Sequence, residues 1–217
     1  MERLLIIGTG DYATVASFYL KNEYNIIGYS EEKAYRKLKS IQDLPIYNFE
    51  DIMSLFDPDE LKILVAVGPN YVNTIRERLF AEIKKMNFEC IRYIHPDATV
   101  WDKKAIGENS FIFPNAVVEP YATVGDNCVM WSGSILSHHS KLHHHCFMAP
   151  GALVSGRTII NSNCFLGINS TVRDNLIVKE KCIIGAGAQI KKDTIENGVY
   201  SSDGTKLFNQ NSFETKV

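Results

Sequence analysis

Every sixth residue from Val100 to Ile190 is aliphatic or methionine, without a gap. A spacing of six matches neither the 3.6-residue turn of an α-helix nor the two-residue alternation of a half-buried strand. The chain must therefore turn repeatedly, so that each sixth side chain returns to the interior. This pattern predicts a parallel β-helix built from hexapeptide repeats.

A second column lies two residues before the first and holds small residues in most repeats. If three hexads form one coil of 18 residues, then Cys128, Cys146, Cys164 and Cys182 stack on one edge of the β-helix, because each follows the previous one by 18. We interpret these cysteines as small, buried apolar side chains in a tight corner. Neither thiol reactivity nor disulfide bonds are expected of them.

The first ninety residues follow a different pattern, in which short apolar runs alternate with turns and helical segments. The first run, residues 4–7, ends in a turn that contains Gly8 and Gly10 and is followed by a helical pattern up to residue 20. This order of strand, glycine turn and helix is typical of a nucleotide-binding unit. The two glycines can equally serve backbone geometry alone.

Two further apolar runs, residues 24–29 and 62–67, also end in polar or turn-forming residues. The first ends in Ser30-Glu31-Glu32, about 20 residues after the glycine turn, where a ribose-binding carboxylate is expected. The second ends in Gly68-Pro69-Asn70 and precedes a helical pattern over residues 71–85. Three such units predict a small Rossmann-like parallel sheet with a nucleotide-sized crevice at its carboxyl edge.

The change of pattern sets the predicted domain boundary. Pro96 favours an extended conformation for His95, and the hexad register begins directly after it. We therefore predict an α/β Rossmann-like domain at residues 1–94 and an all-β, β-helix domain at residues 95–217. From residue 198 onward the chain leaves the register and becomes polar, which predicts a short cap strand and then a frayed end.

Five of the six histidines fall between His138 and His145. Leu136 and Leu142 keep the inward column in this segment, so the imidazoles are expected to point away from the core. Histidine titrates near neutral pH and is a common general base in transfer reactions. The alternative is that most of these side chains are ordinary surface groups.

Composition limits the possible functions. The net charge of −2 provides no overall positive field for binding nucleic acid. No apolar run is as long as a membrane span, and residues 1–11 do not resemble a secretory signal. We expect a cytoplasmic protein.

Several motifs together resemble the NeuD/PglD-like family of sugar acyltransferases with hexapeptide repeats. The motifs are Leu5-Ile-Ile-Gly-Thr-Gly, Val65-Ala-Val-Gly-Pro-Asn, Ile94-His-Pro-Asp-Ala-Thr-Val, Asn163-Cys-Phe-Leu-Gly-Ile-Asn-Ser and Ile184-Gly-Ala-Gly-Ala. The resemblance implies a left-handed β-helix and a homotrimer with active sites between subunits. It also implies transfer of an acetyl group from acetyl-CoA to the amine of a nucleotide-linked 4-amino-deoxy sugar, in the biosynthesis of surface polysaccharide or glycans.

The resemblance also assigns roles to individual residues. His138, in the segment Ile135-Leu-Ser-His138-His139, corresponds to the general base, and the backbone N–H of Gly156 is the expected oxyanion donor. His139 either orients His138 through a hydrogen bond or is a bystander. The implied contacts to the nucleotide sugar are Gly10, Asp11, Tyr12, Ser30 and Glu31, and those to acetyl-CoA are Phe147, Gly156, Ile168 and Ala186.

Three departures from the family pattern are visible. His139 stands where relatives commonly have Asp or Glu, and an imidazole cannot supply a negative charge to the base. Phe147 replaces a histidine found in some relatives, so that only packing is expected there. The tail lacks the family's usual ending, which leaves the adenine end of the cofactor site undefined.

Other functions remain open at this point. A hydroxyl acceptor would make the protein an O-acetyltransferase of the sialic acid type. His138 and His143 have a spacing that resembles the zinc ligands of γ-class carbonic anhydrases, although a third histidine is missing from the neighbouring coils. A dinucleotide-dependent oxidoreductase is disfavoured because ninety residues accommodate only one mononucleotide half. Candidate cations for the anionic substrates are Lys141, Arg157, Arg173, Lys191 and Lys192.

Overall fold

The computed structural model describes residues 1–202. An α/β domain is followed by a parallel β-helix, as the two sequence patterns predict. Residues 203–217, which include the predicted frayed end, lie outside the described residues. The longest helix has 12 residues, and no helix within residues 1–202 could span a lipid bilayer.

The N-terminal sheet has six strands in the order β3-β4-β2-β1-β5-β6. Their bounds are β1 Arg3–Ile7, β2 Asn25–Glu31, β3 Ser40–Ile41, β4 Leu44–Asn48, β5 Lys62–Val65 and β6 Glu89–Cys90. All neighbours pair in parallel except β3 and β4, which form a hairpin. The parallel strands therefore have the doubly wound order, whose crevice lies at the carboxyl ends of the strands. The hairpin lacks the usual Asn-Gly or Asp-Gly signal and was not predicted.

The α-helices are α1 Asp11–Leu20, α2 Ile52–Leu55 and α3 Thr74–Lys85. Short 3₁₀ helices cover Phe49–Asp51 and Lys103–Ala105. The helical pattern predicted α3 from residue 71, but the helix begins three residues later. Tyr71, Val72 and Asn73 have φ values of 52°, 52° and 63°, a left-handed conformation that an α-helix cannot include.

The β-helix consists of two-residue parallel strands that form three sheets. The first sheet contains β8 Thr99–Val100, β10 Val117–Val118, β13 Ile135–Leu136, β16 Leu153–Val154, β19 Thr171–Val172 and β22 Gln189–Ile190. The second contains β11 Thr123–Val124, β14 Lys141–Leu142, β17 Ile159–Ile160 and β20 Ile177–Val178. The third contains β7 Tyr93–Ile94, β9 Phe111–Ile112, β12 Val129–Met130, β15 Phe147–Met148, β18 Phe165–Leu166, β21 Ile183–Ile184 and β23 Val199–Tyr200.

The aliphatic column forms the core of this β-helix. From Ile106 to Ile190 each member is at most 6% exposed, and Val100 on the first coil is partly buried. Residues 18 apart pair in register, such as Val117 with Ile135. The predicted 18-residue coil is therefore confirmed.

A third column, which the sequence analysis overlooked, marks the corners. Every sixth residue from Asn109 to Gly187 has a positive φ. Most are Asn or Gly, the residues that adopt this conformation most readily. The others are Tyr121, His139, His145, Arg157 and Lys181.

The stacked cysteines are free and buried, and they also make hydrogen bonds in addition to apolar contacts. The Sγ atoms of Cys128, Cys146 and Cys164 donate to carbonyls 15 residues later, at 3.0–3.1 Å. The hydroxyl of Ser140 makes the equivalent bond to the carbonyl of Ser155 at 2.8 Å. The small-residue column is therefore also a column of corner hydrogen-bond donors.

Arg76 on α3 joins the two domains. The residue is 0% exposed. Its guanidinium donates to the carbonyls of Val67, Asn127, His145 and Cys146 at 3.2–3.3 Å. Because hydrogen bonds from a charged donor are stronger than neutral ones, this contact holds α3 against a corner of the β-helix.

A buried polar ladder runs beside Arg76. The N–H of Val65 donates to Oδ1 of Asn109 at 2.8 Å, and Nδ2 of Asn109 donates to Oδ1 of Asn127 at 2.8 Å. Nδ2 of Asn127 then donates to Nδ1 of His145 at 2.9 Å. His145 therefore carries its proton on Nε2, which lies 3.8 Å from Oε1 of Glu77. Burial lowers the pKa of His145.

Candidate active site

A cleft of about 660 Å³ lies at the carboxyl edge of the N-terminal sheet. All five predicted nucleotide-sugar contacts line it, namely Gly10, Asp11, Tyr12, Ser30 and Glu31. Gly68, Pro69 and Asn70 after β5 and Arg78 on α3 form another part of the wall. Trp131 and Phe147 of the β-helix close the cleft. Sequence reasoning did not identify Trp131 as part of this site.

The two glycines of the first turn have different roles. Gly8 has a φ of 123°, and a Cβ there would lie 2.4 Å from the carbonyl oxygen of Ala66. Only glycine fits this position. At Gly10, the residue before α1, a Cβ would meet nothing within 4 Å. Gly8 therefore serves backbone geometry, whereas Gly10 leaves open space at the helix N-terminus, where anions bind favourably.

Polar groups from β2 face the same cleft. Thr9 Oγ1 donates to Oε1 of Glu31 at 2.6 Å, which holds this carboxylate at the end of the strand. The second carboxylate oxygen of Glu31 has no hydrogen bond within the described residues. Ser30 is 0% exposed, and its hydroxyl also lacks a partner in residues 1–202. The Glu31 oxygen can accept a hydrogen bond from a polar ligand such as a ribose, and the Ser30 hydroxyl can either donate or accept one.

Tyr12 lies at the interface between the domains. It is 5% exposed, and its ring is 6.0–6.5 Å from the rings of Phe111, Trp131 and Phe147. Burial raises the pKa of Tyr12, so the hydroxyl stays protonated. Its ring therefore contributes apolar packing to the inner wall of the cleft.

The histidine pair lies at a different corner. Residues 137–140 join β13 to β14, whereas the N-terminal domain packs on the sheet of β9, β12 and β15. Both His138 and His139 are exposed. Neither lines the cleft within residues 1–202. In a single chain, the predicted base and the predicted sugar contacts are therefore separate.

His138 is held by contacts on three sides. Its Nδ1 lies 3.2 Å from Nδ1 of His139, whose ring packs 4.7 Å from that of Tyr121. The backbone N–H of His138 donates to Oε2 of Glu119 at 2.7 Å. A Cβ at Gly156 would lie 2.5 Å from Cε1 and 2.7 Å from Nε2 of His138, so this ring covers the glycine.

The Nδ1–Nδ1 contact has a chemical consequence. One nitrogen must donate and the other accept. If His138 donates, its Nε2 carries a free lone pair and can act as a base. After Nε2 takes a proton, the Nδ1–H of His138 continues to donate to His139.

The predicted acetyl-CoA contacts fall into three places. Gly156 lies beneath the His138 ring. Ile168 is 53% exposed and Ala186 is also exposed, and they occupy neighbouring coils at another corner. Phe147 is 6% exposed and lies in the wall of the N-terminal cleft.

The remaining histidines of the segment are consecutive residues at the corner between β14 and β15, where the ring of His145 lies 6.1 Å from that of Phe80 on α3. Burial lowers the pKa of His143, and His144 lies 3.3 Å from a carboxylate oxygen of Asp126. Within residues 1–202, no three His, Cys, Asp or Glu side chains converge in a way that could hold a metal ion.

Comparisons with known proteins match both parts of the chain. The family described as "PglD N-terminal domain" matches residues 3–83, and the family described as "Bacterial transferase hexapeptide (six repeats)" matches residues 105–138. The acetyltransferase domain of PglB from Neisseria gonorrhoeae, solved with acetyl coenzyme A, is 26% identical. The match covers 95% of this chain and 99% of that chain, with a TM-score of 0.83.

The protein is an acyltransferase whose first part matches a PglD N-terminal domain and whose β-helix carries bacterial transferase hexapeptide repeats.

More distant structures share the fold of this acyltransferase. PerB from Caulobacter crescentus, in complex with CoA and GDP-perosamine, is 20% identical, with a TM-score of 0.83 over 93% of this chain and 95% of that chain. WeeI from Acinetobacter baumannii is 16% identical, with a TM-score of 0.81 over 92% of this chain and 96% of that chain. No curated protein matches the sequence significantly.

Proposed function

We propose that this acyltransferase transfers an acetyl group from acetyl-CoA to the amine of a nucleotide-linked 4-amino-deoxy sugar. One observation carries the proposal: the five residues expected to contact a nucleotide sugar line a single cleft of about 660 Å³. That volume lies within the usual range for a small-molecule site. The likeness to the PglB acetyltransferase domain with acetyl coenzyme A supports the choice of acyl donor.

The polar part of the cleft suits the nucleotide. The open N-terminus of α1 at Gly10 favours a phosphate, and the carboxylate of Glu31 suits ribose hydroxyls. The aromatic wall at Trp131 and Phe147 suits the less polar face of a deoxy sugar. The sugar would then extend toward the β-helix.

In the proposed mechanism, His138 acts as the general base. As the amine nitrogen attacks the thioester carbonyl, Nε2 of His138 takes the proton of the amine. The backbone N–H of Gly156, next to the imidazole, would stabilise the tetrahedral oxyanion. Collapse of the intermediate breaks the C–S bond, and the imidazolium returns the proton to the departing thiolate.

The separation of the base from the cleft supports a homotrimer. His138 lies at the corner away from the sheet that packs against the N-terminal domain. We propose that the base reaches a cleft on a neighbouring subunit and that acetyl-CoA lies in the groove between two β-helices. Ile168 and Ala186 are exposed at a second corner, as this arrangement requires.

The test is an activity screen with a matched variant. The enzyme is incubated with acetyl-CoA and UDP-, dTDP- or GDP-linked 4-amino sugars, and release of the free thiol is followed. We expect one nucleotide series to react, and His138→Ala to lower the rate by about 10²- to 10⁴-fold. Near-normal turnover of His138→Ala would contradict the assignment of the base. Transfer to the matching 4-hydroxy sugars instead would identify an O-acetyltransferase.

A further inference from the structure

We propose that Glu119, on the preceding coil, supplies a negative charge close to His138. His139, the residue after the proposed base, does not provide this charge. This inference rests on the proposed role of His138. Glu119 is therefore assigned as a positioning and electrostatic residue that acts through His138.

The turn that follows β10 supports both histidines. Oε2 of Glu119 accepts the backbone N–H of His138 at 2.7 Å. The carbonyl of Pro120 accepts the backbone N–H of His139 at 3.2 Å, and the ring of Tyr121 packs 4.7 Å from the His139 ring. Three consecutive residues thus each contact the histidine pair.

The position of Glu119 is itself well determined. Its backbone N–H donates to the carbonyl of Leu136 at 3.0 Å, within the parallel ladder that connects the two coils. The side chain is partly buried. Within residues 1–202, no Lys or Arg forms an ion pair with it, so its charge is not neutralised by a neighbour.

The other charged or titratable groups around His138 do not provide this negative charge. His139 and Tyr121 carry no negative charge at neutral pH. From the coil above, Arg157 donates its backbone N–H to the carbonyl of His138 at 3.0 Å and brings a positive charge to the same corner. Glu119 is thus the carboxylate in contact with His138 in the described part of the chain.

The chemistry follows from this arrangement. When Nε2 of His138 takes the amine proton, a neutral ring becomes an imidazolium. A nearby carboxylate favours the charged form, whereas the neutral acceptor His139 offers a hydrogen bond alone. Glu119 therefore stabilises the state that forms as the amine attacks.

The experiment compares Glu119→Gln, His139→Glu and the double variant. Glutamine keeps an oxygen that can accept the His138 N–H but removes the charge. We expect Glu119→Gln to lower kcat by about three- to tenfold and to move the acid limb of the kcat/KM profile to lower pH. His139→Glu places a carboxylate beside the base, so the double variant should recover both the rate and the acid limb.

A spectroscopic readout separates this inference from the proposed function. The ring-proton shifts of His138, followed by NMR against pH, should move their midpoint to lower pH in Glu119→Gln and back in the double variant. This result is expected whether or not the chosen sugars react. An unchanged midpoint, in Glu119→Gln protein with an unaltered melting temperature, would overturn the role of Glu119.

Discussion

Gly156→Ala tests whether the backbone beneath His138 positions the base. The added Cβ would lie 2.5 Å from Cε1 of His138, whereas ordinary van der Waals contacts begin at 3.4 Å. The imidazole must therefore retreat by roughly 1 Å, and a displacement of that size can cost about 10²-fold in rate. We expect kcat/KM to fall by about two orders of magnitude.

Folding should be affected very little by this substitution. Pro120, His138 and Asp174 occupy the equivalent position on neighbouring coils, so the backbone there accepts a Cβ. Replacing glycine by alanine at a compatible position also reduces the entropy of the unfolded chain, which stabilises by about 0.4–1 kcal/mol. The melting temperature of Gly156→Ala should therefore equal or exceed that of the wild type.

The assay is thiol release under saturating and limiting acetyl-CoA, in the wild-type and His138→Ala backgrounds. If the added methyl group acts through the imidazole, Gly156→Ala should have almost no further effect once His138 is alanine. A single variant that keeps more than about a third of wild-type kcat/KM would refute the reasoning. An equal loss in both backgrounds would instead show that the methyl group acts independently of the ring.

Three further predictions concern stability. Arg76→Met should lower the free energy of unfolding, measured with urea, by about 3 kcal/mol, because several buried carbonyls lose a charged donor. A decrease below about 1 kcal/mol would contradict the role of Arg76 in joining the two domains. Cys146→Ser should be more stable than Cys146→Ala by about 1 kcal/mol, because the hydroxyl can donate as Ser140 does; thermal melts that rank them in reverse would argue for apolar packing alone. Because burial lowers the pKa of His145, the folded state favours the neutral ring. The contribution of His145 to the free energy of unfolding is therefore fully present above about pH 6.5 and is lost as the pH falls below that value. Asparagine suits the same left-handed corner, so His145→Asn should reduce the dependence of the melting temperature on acid pH. An unchanged dependence would contradict the proposed effect of burying His145 in the polar ladder.

The candidate site was only partly predictable. The glycine turn and the end of β2 were placed correctly at one cleft, since the carboxyl ends of parallel strands meet at the same edge. The roles of the two glycines could not be separated, because Gly8 is constrained by the carbonyl of Ala66 on another strand. Sequence reasoning also overlooked Glu119, which is 19 residues from the backbone N–H that it accepts.

The amino-acid pattern by itself determined the β-helix. A column of apolar residues at a period of six has to face a common interior, because burial of these side chains drives folding. It also determined the α/β character of the first domain. Short apolar runs that alternate with turns and helical segments predict buried parallel strands connected by helices.

Only the tertiary structure decided how the two domains meet. It placed Phe147 in the cleft wall and Arg76 against the carbonyls of the β-helix, and it located His138 at a separate corner. The physical reason is that periodicity records which side chains leave water, whereas contacts between distant segments depend on how whole surfaces fit together.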